Sequence, residues 1–211
     1  MNRLLSPPAA LTAGALAALL CSACISPGPY TPTRYYTLAA PQKPAAPGGA
    51  ALPLTARVQR FTAIAACPVP LTFRLSDVEL TYDEFNRWAG SPEEAVSAAF
   101  FAAIESQGVF GQVIPSDVDA DADVTIEGRI LALEQRQNGP ATLALAVGLR
   151  WRRAGGYVWF RVMRKSVELP ANTAYSPANI AQALSKALAD VAAQCAAEWR
   201  DLPALKTKPS P

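Results

Sequence analysis

The chain has no histidine among its 211 residues and only two methionines. Without an imidazole there is no Ser-His-Asp or Cys-His catalysis, and the common zinc sites are excluded with them. Charge is sparse as well: 17% of residues are charged, and 19 Lys+Arg against 17 Asp+Glu leave a net +2. That excess is too small and too evenly spread for a surface that binds nucleic acid by counterion release. Long apolar runs are missing after Leu20, so nothing downstream predicts a membrane-spanning helix, which needs about 20 residues. Apolar residues are nonetheless plentiful, at 51%, and the length suits one domain of roughly 100 to 200 residues. These absences favour a non-catalytic protein, without cofactor or metal, over an enzyme limited to carboxylate, Lys or Tyr chemistry.

The start of the chain sets the compartment. Met1-Asn2-Arg3 is a short positive opening, and an apolar run from Ala9 to Leu20 follows. The run is too short to span a bilayer and ends in small residues, so residues 1–23 read as a signal peptide. Ser22-Ala23-Cys24 resembles the bacterial lipobox, with Cys21 where that motif usually carries Leu. Cys24 is therefore the expected lipidation site, its acyl chains (palmitate among them) anchoring the mature protein by about 0.8 kcal/mol per buried methylene. Ile25 follows instead of the Asp that resembles an inner-membrane retention signal. The expected location is thus the periplasmic face of the outer membrane, with the inner membrane as the alternative. Two further cysteines, Cys67 and Cys195, would enter an oxidising compartment. A bridge between them would stabilise by about 4 kcal/mol in the chain-entropy model. Two buried free thiols are the equal alternative.

Past the anchor, residues 24–53 read as a tether rich in Pro, Ser, Thr and Gly, interrupted by the short β-prone patch Arg34-Tyr35-Tyr36-Thr37-Leu38. The globular part is expected over 54–202, with 203–211 as a disordered tail. Leu54 to Phe61 alternates as a half-buried strand, and Leu71 to Leu80 offers one or two extended pieces. Ser91-Pro92-Glu93-Glu94 marks a helix start, with Val96, Ala99, Phe100, Ala103 and Ile104 on one face and Gly108 as its stop. Val124, Ile126, Gly128 and Ile130 alternate until the apolar phase switches to Leu131 and Leu133, which predicts a bulge. Asn138-Gly139 turns the chain into Leu143 to Trp151, and Gly155-Gly156 turns it again into Tyr157 to Lys165, where Val158, Phe160 and Val162 form the apolar phase. Ser176-Pro177 opens a last helix with Ile180, Leu184, Ala187, Leu188, Val191 and Cys195 on one stripe. The expected fold class is α+β: a mostly antiparallel sheet with two helices on one face, in β-α-β-β-β-α order.

Few clusters invite chemistry. Asp117, Asp119, Asp121 and Asp123 alternate, but as a calcium loop they would place Ala122 where Gly is required and Gly128 where a bidentate Glu belongs. Asp83-Glu84 and Glu93-Glu94 could supply paired carboxylates, although Glu93-Glu94 fits a helix first turn, where negative charge is favoured. Ser166 and Lys165 are strand neighbours and point to opposite faces, so they form no dyad. Trp151, Tyr157, Trp159 and Phe160 with Arg150, Arg152, Arg153, Arg161 and Arg164 make a hairpin rich in aromatics and Arg. Such a surface suits lipid headgroups, a partner protein or peptidoglycan, or it is an ordinary sheet solubilised by Arg.

Four motifs in one order carry a resemblance. Cys24, Arg34-Tyr35-Tyr36-Thr37-Leu38, Tyr82-Asp83-Glu84-Phe85-Asn86-Arg87-Trp88-Ala89 leading into Ser91-Pro92, and Ala122-Asp123-Val124-Thr125-Ile126-Glu127-Gly128-Arg129-Ile130 together resemble the ABC-type transport auxiliary lipoproteins, among them the PqiC-like outer-membrane components of MCE lipid-transport systems. The likeness runs from Tyr35 to the final helix and departs at Ala39 to Pro53 and at Cys67-Pro68-Val69-Pro70. It implies a non-enzymatic part of a system moving phospholipids between membranes. Its partners would be an MCE-domain periplasmic protein and an inner-membrane permease and ATPase, with homo-oligomers conceivable. Tyr35, Tyr36, Leu38, Arg87, Trp88, Trp151 and Trp159 are the candidate partner-binding residues, against a competing reading as edge strand and core. An envelope-assembly lipoprotein that binds an outer-membrane barrel or the cell wall is the alternative function.

Overall fold

A computed structural model describes residues 30–40, 51–63, 68–152, 156–170 and 176–207. Cys24 and Cys67 lie outside the described residues. Thr33–Pro211 forms one compact unit, and every buried core residue among those described belongs to it.

The strands are β1 (Arg34–Tyr36), β2 (Leu52–Val58), β3 (Thr62–Ala63), β4 (Pro70–Arg74), β5 (Leu80–Trp88), β6 (Phe110–Pro115), β7 (Val124–Arg136), β8 (Ala141–Trp151) and β9 (Tyr157–Val167). The helices are α1 (Pro92–Gln107), α2 (Pro177–Arg200) and the short α3 (Pro203–Lys206). The fold is α+β with one mixed sheet, antiparallel in its long strands, and two long helices on one face, as the periodicity predicts. The organising element is β7. Its 13 residues are long enough to pair β8 along one edge while β2, β3 and β4 line up parallel along the other. At the far end of β7 the order continues through β4 and β5 to β1, and at the near end through β2 to β6. On the other side β8 is followed by β9, which is the outermost strand there among the described residues.

Local sequence explains the helix limits. Ser91 Oγ accepts the Glu94 amide at 3.2 Å, Pro92 occupies the first helical position, and Gly108 closes α1 at φ 59°. A left-handed residue at that point satisfies a terminal carbonyl, and Gly adopts it without steric cost. Ser176 caps α2 in the same way, accepting from the Asn179 amide at 3.4 Å. The predicted stripes of both helices are buried. They cover Leu143, Leu145, Val147, Leu149 and Trp151 of β8, which point to the helix side at every second residue.

The bulge expected near Leu131 is present, since β7 and β8 pair Ile130 with Leu145 and then Ala132 with Ala144. The extra residue turns Leu133 back toward the core opposite Leu143. Asn138 (φ 53°) and Gly139 form the β7–β8 turn, with the Gly139 amide donating to the Arg136 carbonyl at 2.8 Å.

Three boundaries need correction. The short strand expected within 24–53 is β1, which joins the sheet and leads Leu38 into the core, but the folded part resumes at Leu52, where β2 begins, rather than at 54. The tail expected from 203 is ordered to Thr207, because Leu205 is buried in the core at the α3 turn. Extended pieces ending at Leu80 become a full hairpin: β5 runs nine residues from Leu80 to Trp88. Its polar composition hid it, because most of β5 is exposed and shows no alternation. β6 was likewise not anticipated.

Candidate functional site

Two motifs far apart in sequence become neighbours at one corner of the sheet. In the parallel β1–β5 pair Arg34 lies opposite Asn86, Tyr35 opposite Arg87 and Tyr36 opposite Trp88. Tyr36 Oη donates to Asn86 Oδ1 at 3.2 Å, and the Ala89 amide donates to the Tyr36 carbonyl at 2.7 Å. Asp83 Oδ1 holds the strand bend by accepting from the Phe85 and Asn86 amides, each at 2.8 Å. The chain leaves β1 across α2, where the Ala39 amide donates to Ser185 Oγ at 3.0 Å.

Period-2 geometry then sorts the candidates. Leu38 and Trp88 are buried in the core and Tyr36 packs against it, so Leu38 and Trp88 are structural rather than available for contact. Tyr35 and Arg87 stay exposed side by side. Beyond them the β4–β5 hairpin carries a concentration of exposed apolar side chains that sequence reading missed: Leu75, Val78, Leu80, Tyr82 and Phe85, with Val78 96% exposed at the tip. β1 pairs only with residues 86–88 of β5, which leaves the Leu80–Phe85 edge unpaired on that side among the described residues. The missed signal was Val78 between Asp77 and Glu79: a large apolar residue in a polar turn.

The aromatic hairpin is divided between two faces. Trp151 and Trp159 point to the helices and are buried, a correction to their reading as contact residues. Trp159 stacks edge-on against Trp199 with centroids 5.5 Å apart, and its Nε1 donates to Glu198 Oε2 at 2.8 Å. Phe160 and Val162, expected as the apolar phase of β9, point away from the helices. The cause is a bulge: Leu149 pairs with Trp159 but Arg150 pairs with Tyr157, so Val158 is the extra residue and Tyr157 joins Phe160 and Val162 on the outer face.

That outer face has a regular layout. β8 contributes Thr142, Ala144, Ala146 and Gly148, the last directly beneath the Tyr157 ring. These small residues form the floor of two shallow clefts, about 360 Å³ beside Gly148, Tyr157 and Phe160 and about 540 Å³ beside Ala132, Thr142 and Arg164. Most charges here are paired. Arg150 meets Glu127 at 2.6 Å, and Tyr157 Oη donates to Glu127 at 2.7 Å. That bond raises the Tyr157 phenol above its usual range, with burial adding to it. Arg74 holds Glu134 through two hydrogen bonds of 2.5 and 2.8 Å, which also raise its own pKa.

The remaining sequence candidates are structural. Asp123 Oδ2 accepts the Thr55 amide at 3.0 Å, and Asp121 pairs with Arg152 at 2.8 Å. Arg57 fastens the same loop by donating to the carbonyls of Ser116, Val118 and Ala120. No cluster of three metal-ligating side chains occurs among the described residues. Ser166 Oγ lies 2.9 Å from Thr142 Oγ1, while Lys165 pairs opposite Leu143, whose side chain points to the other face. Cys195 is a free, buried thiol whose Sγ lies 3.4 Å from Met163 Sδ, and burial pushes its pKa up to about 12, helped by the nearby Glu198 charge. No described helix is long and apolar enough to cross a membrane.

Comparison with known proteins agrees with this architecture. The family model described as ABC-type transport auxiliary lipoprotein component matches residues 36–196. Among solved structures, protein XCC0632 from Xanthomonas campestris, itself assigned to the family model DUF330, superposes with a TM-score of 0.67 at 17% identity, covering 78% of this chain and 93% of that one. A second crystal structure, of an uncharacterised protein, gives 0.64 at 15% identity over 80% and 99% of the two chains. No curated protein matches.

Proposed function

The chain belongs to the ABC-type transport auxiliary lipoprotein component family, and from that premise we propose that it is a non-enzymatic, lipid-anchored subunit that docks a periplasmic conduit at the outer membrane. The match from 36 to 196 runs from β1 into α2, and carries this reading. The family is a transport auxiliary component, which is not an enzyme class. In the reading proposed here Cys24 is acylated and holds the protein at the periplasmic face of the outer membrane. The transport system is of the MCE type and moves phospholipids. Its other members are an MCE-domain protein, a permease and an ATPase.

The mechanism is positional. Acyl chains fix the amino terminus in one leaflet. The folded unit presents its protruding β4–β5 hairpin to the bridging protein, because exposed apolar side chains at a free strand edge supply both strand pairing and apolar burial to a partner. Tyr35 and Arg87 flank that edge, and aromatic and Arg side chains are favoured at contact surfaces.

Affinity recovery of the full-length protein from crosslinked envelopes, beside Cys24→Ala and with partners identified by mass spectrometry, tests this reading. An MCE-domain protein with its ATPase or permease is the expected recovery, and Cys24→Ala is expected to leave the membrane fraction. Recovery of barrel proteins or peptidoglycan-linked partners alone would replace the transport reading with envelope assembly.

A further inference from the structure

The sheet face opposite the helices carries charges that the fold does not use. Across β7, β8 and β9 the outward residues form rows: Glu127–Gly148–Phe160, Arg129–Ala146–Val162 and Ala132–Ala144–Arg164. Glu127 is taken by Arg150 and Tyr157, Glu134 by Arg74, and Asp77 by Arg136. Arg129 and Arg164 remain, both exposed, with no ion pair or hydrogen bond among the described residues. Every unpaired charge in these three rows is therefore positive. Between and beside the two guanidiniums stand Val162 at 62% exposure and Phe160 at 49%, with Tyr157 next along the strand.

We propose that this outer face of β7–β9 is a membrane-contact surface that seats on a bilayer containing anionic phospholipid, with Phe160 and Val162 entering the headgroup layer and Arg129 and Arg164 binding lipid phosphates. Charge complementarity selects the occupant: two unpaired guanidiniums have no acid to meet on this face, and an anionic leaflet supplies phosphates at both positions at once. Shape agrees with it. A protein partner that buries an anchor side chain needs a deep, enclosed pocket, whereas here the apolar groups project from the outermost strand and the clefts behind them are shallow. Projecting aromatic and aliphatic tips ringed by Arg are the groups that partition into a lipid interface. This surface is distinct from the β4–β5 hairpin, with β9 and β5 on opposite sides of β7 in the sheet. The inference requires neither the anchor at Cys24 nor the transport reading.

The test uses the compact unit Thr33–Pro211, which holds the whole described sheet and its core, so that no acyl group contributes. Its co-sedimentation is measured with vesicles of phosphatidylcholine alone and of phosphatidylcholine mixed with phosphatidylglycerol. Binding is expected only to the mixed vesicles and should weaken as salt is raised. Arg129→Gln with Arg164→Gln should lower it about thirty-fold, as two lost membrane-facing cations predict. Phe160→Ser with Val162→Ser should lower it further and remove the part that survives in high salt. The Tyr157 side of the same face provides a control: Arg150→Gln, whose charge is already paired, should change binding far less. Equal binding to both vesicle types, unchanged binding of the Arg129 and Arg164 double variant, or no binding at all would each overturn the proposal. Failure to bind vesicles combined with binding of soluble polyglutamate would reassign the face to an acidic protein.

Discussion

At the residue scale, Gly128 shows how one missing side chain sets a packing arrangement. Phe61, fully buried, lies where a Cβ at Gly128 would go, and its ring meets Phe100 of α1 with centroids 5.1 Å apart. The Phe61 amide is also held by Ser97 Oγ at 2.8 Å, so the ring has no freedom to retreat. Gly128→Ala should therefore destabilise by about 1–3 kcal/mol through overpacking, read as a lower urea midpoint with an unchanged m-value. Cys195 links stability to pH. Its folded pKa, raised to about 12 from 9.0, favours the protonated thiol. The sign follows: the contribution is fully present below about pH 9, where both states are protonated, and is lost as pH climbs toward 12 because the unfolded chain releases its proton first. Stability should fall above pH 9 by up to about 1.4 kcal/mol per pH unit from this group. Cys195→Ala should flatten that slope in urea titrations at pH 8 and pH 10.5, apart from what other groups contribute. The native thiol should also resist alkylation until the protein unfolds.

At the scale of elements, the helices were legible and several strands were not. α1 announces itself through Ser91-Pro92 and Gly108, signals that act on the nearest few backbone groups and need no tertiary partner. Ser91→Ala should cost about 1 kcal/mol, since the Glu94 amide loses its acceptor, and the Arg60 Nη2 bond to Ser91 Oγ at 3.1 Å goes with it. Thermal unfolding of the variant checks this, and Ser91→Thr should recover most of the loss. β7 and β8 were equally readable, because each carries a long alternation on its core face. β5 was not: only Trp88 among its nine residues is buried, so there was no periodicity to find. β9 was found with its apolar phase reversed. Trp159 and Met163 face the core, while Phe160 and Val162 face out, because the bulge at Val158 sets the register in which Trp159 lies opposite Leu149 and Phe160 opposite Gly148. Alternation alone cannot distinguish inside from outside when both parities hold large apolar residues.

At the scale of the molecule, the two exposed apolar regions lie at different margins of one sheet. The β4–β5 hairpin and the β9 face are separated by the strands between them, so substitutions in one should leave the other intact. Val78→Ser with Tyr82→Ser should reduce recovery of the proposed periplasmic partner from crosslinked envelopes by at least about tenfold, on the usual weight of central apolar contacts. The same variant should keep its melting temperature within a few degrees, because both side chains are exposed. A large loss of stability would mean that the hairpin packs against the fold in a way its exposure does not indicate.

The helices, the long meander, the turn at Asn138-Gly139, the bulge near Leu131 and the family resemblance were all legible before folding was considered. Each is written in local spacing or in short motifs kept in order along the chain. Cys24 and its anchor belong to that same layer as an expectation, since the lipobox resemblance rests on the order of a few adjacent residues. Which candidates are available for contact depends instead on long-range neighbours. Folding joins Tyr35 to Arg87 through a parallel pair separated by 52 residues of sequence, takes Leu38, Trp88, Trp151 and Trp159 into the core, and leaves Arg129 and Arg164 unpaired on an open face. Burial and charge pairing depend on what lies across the sheet and beneath the helices, and those neighbours come from distant parts of the chain.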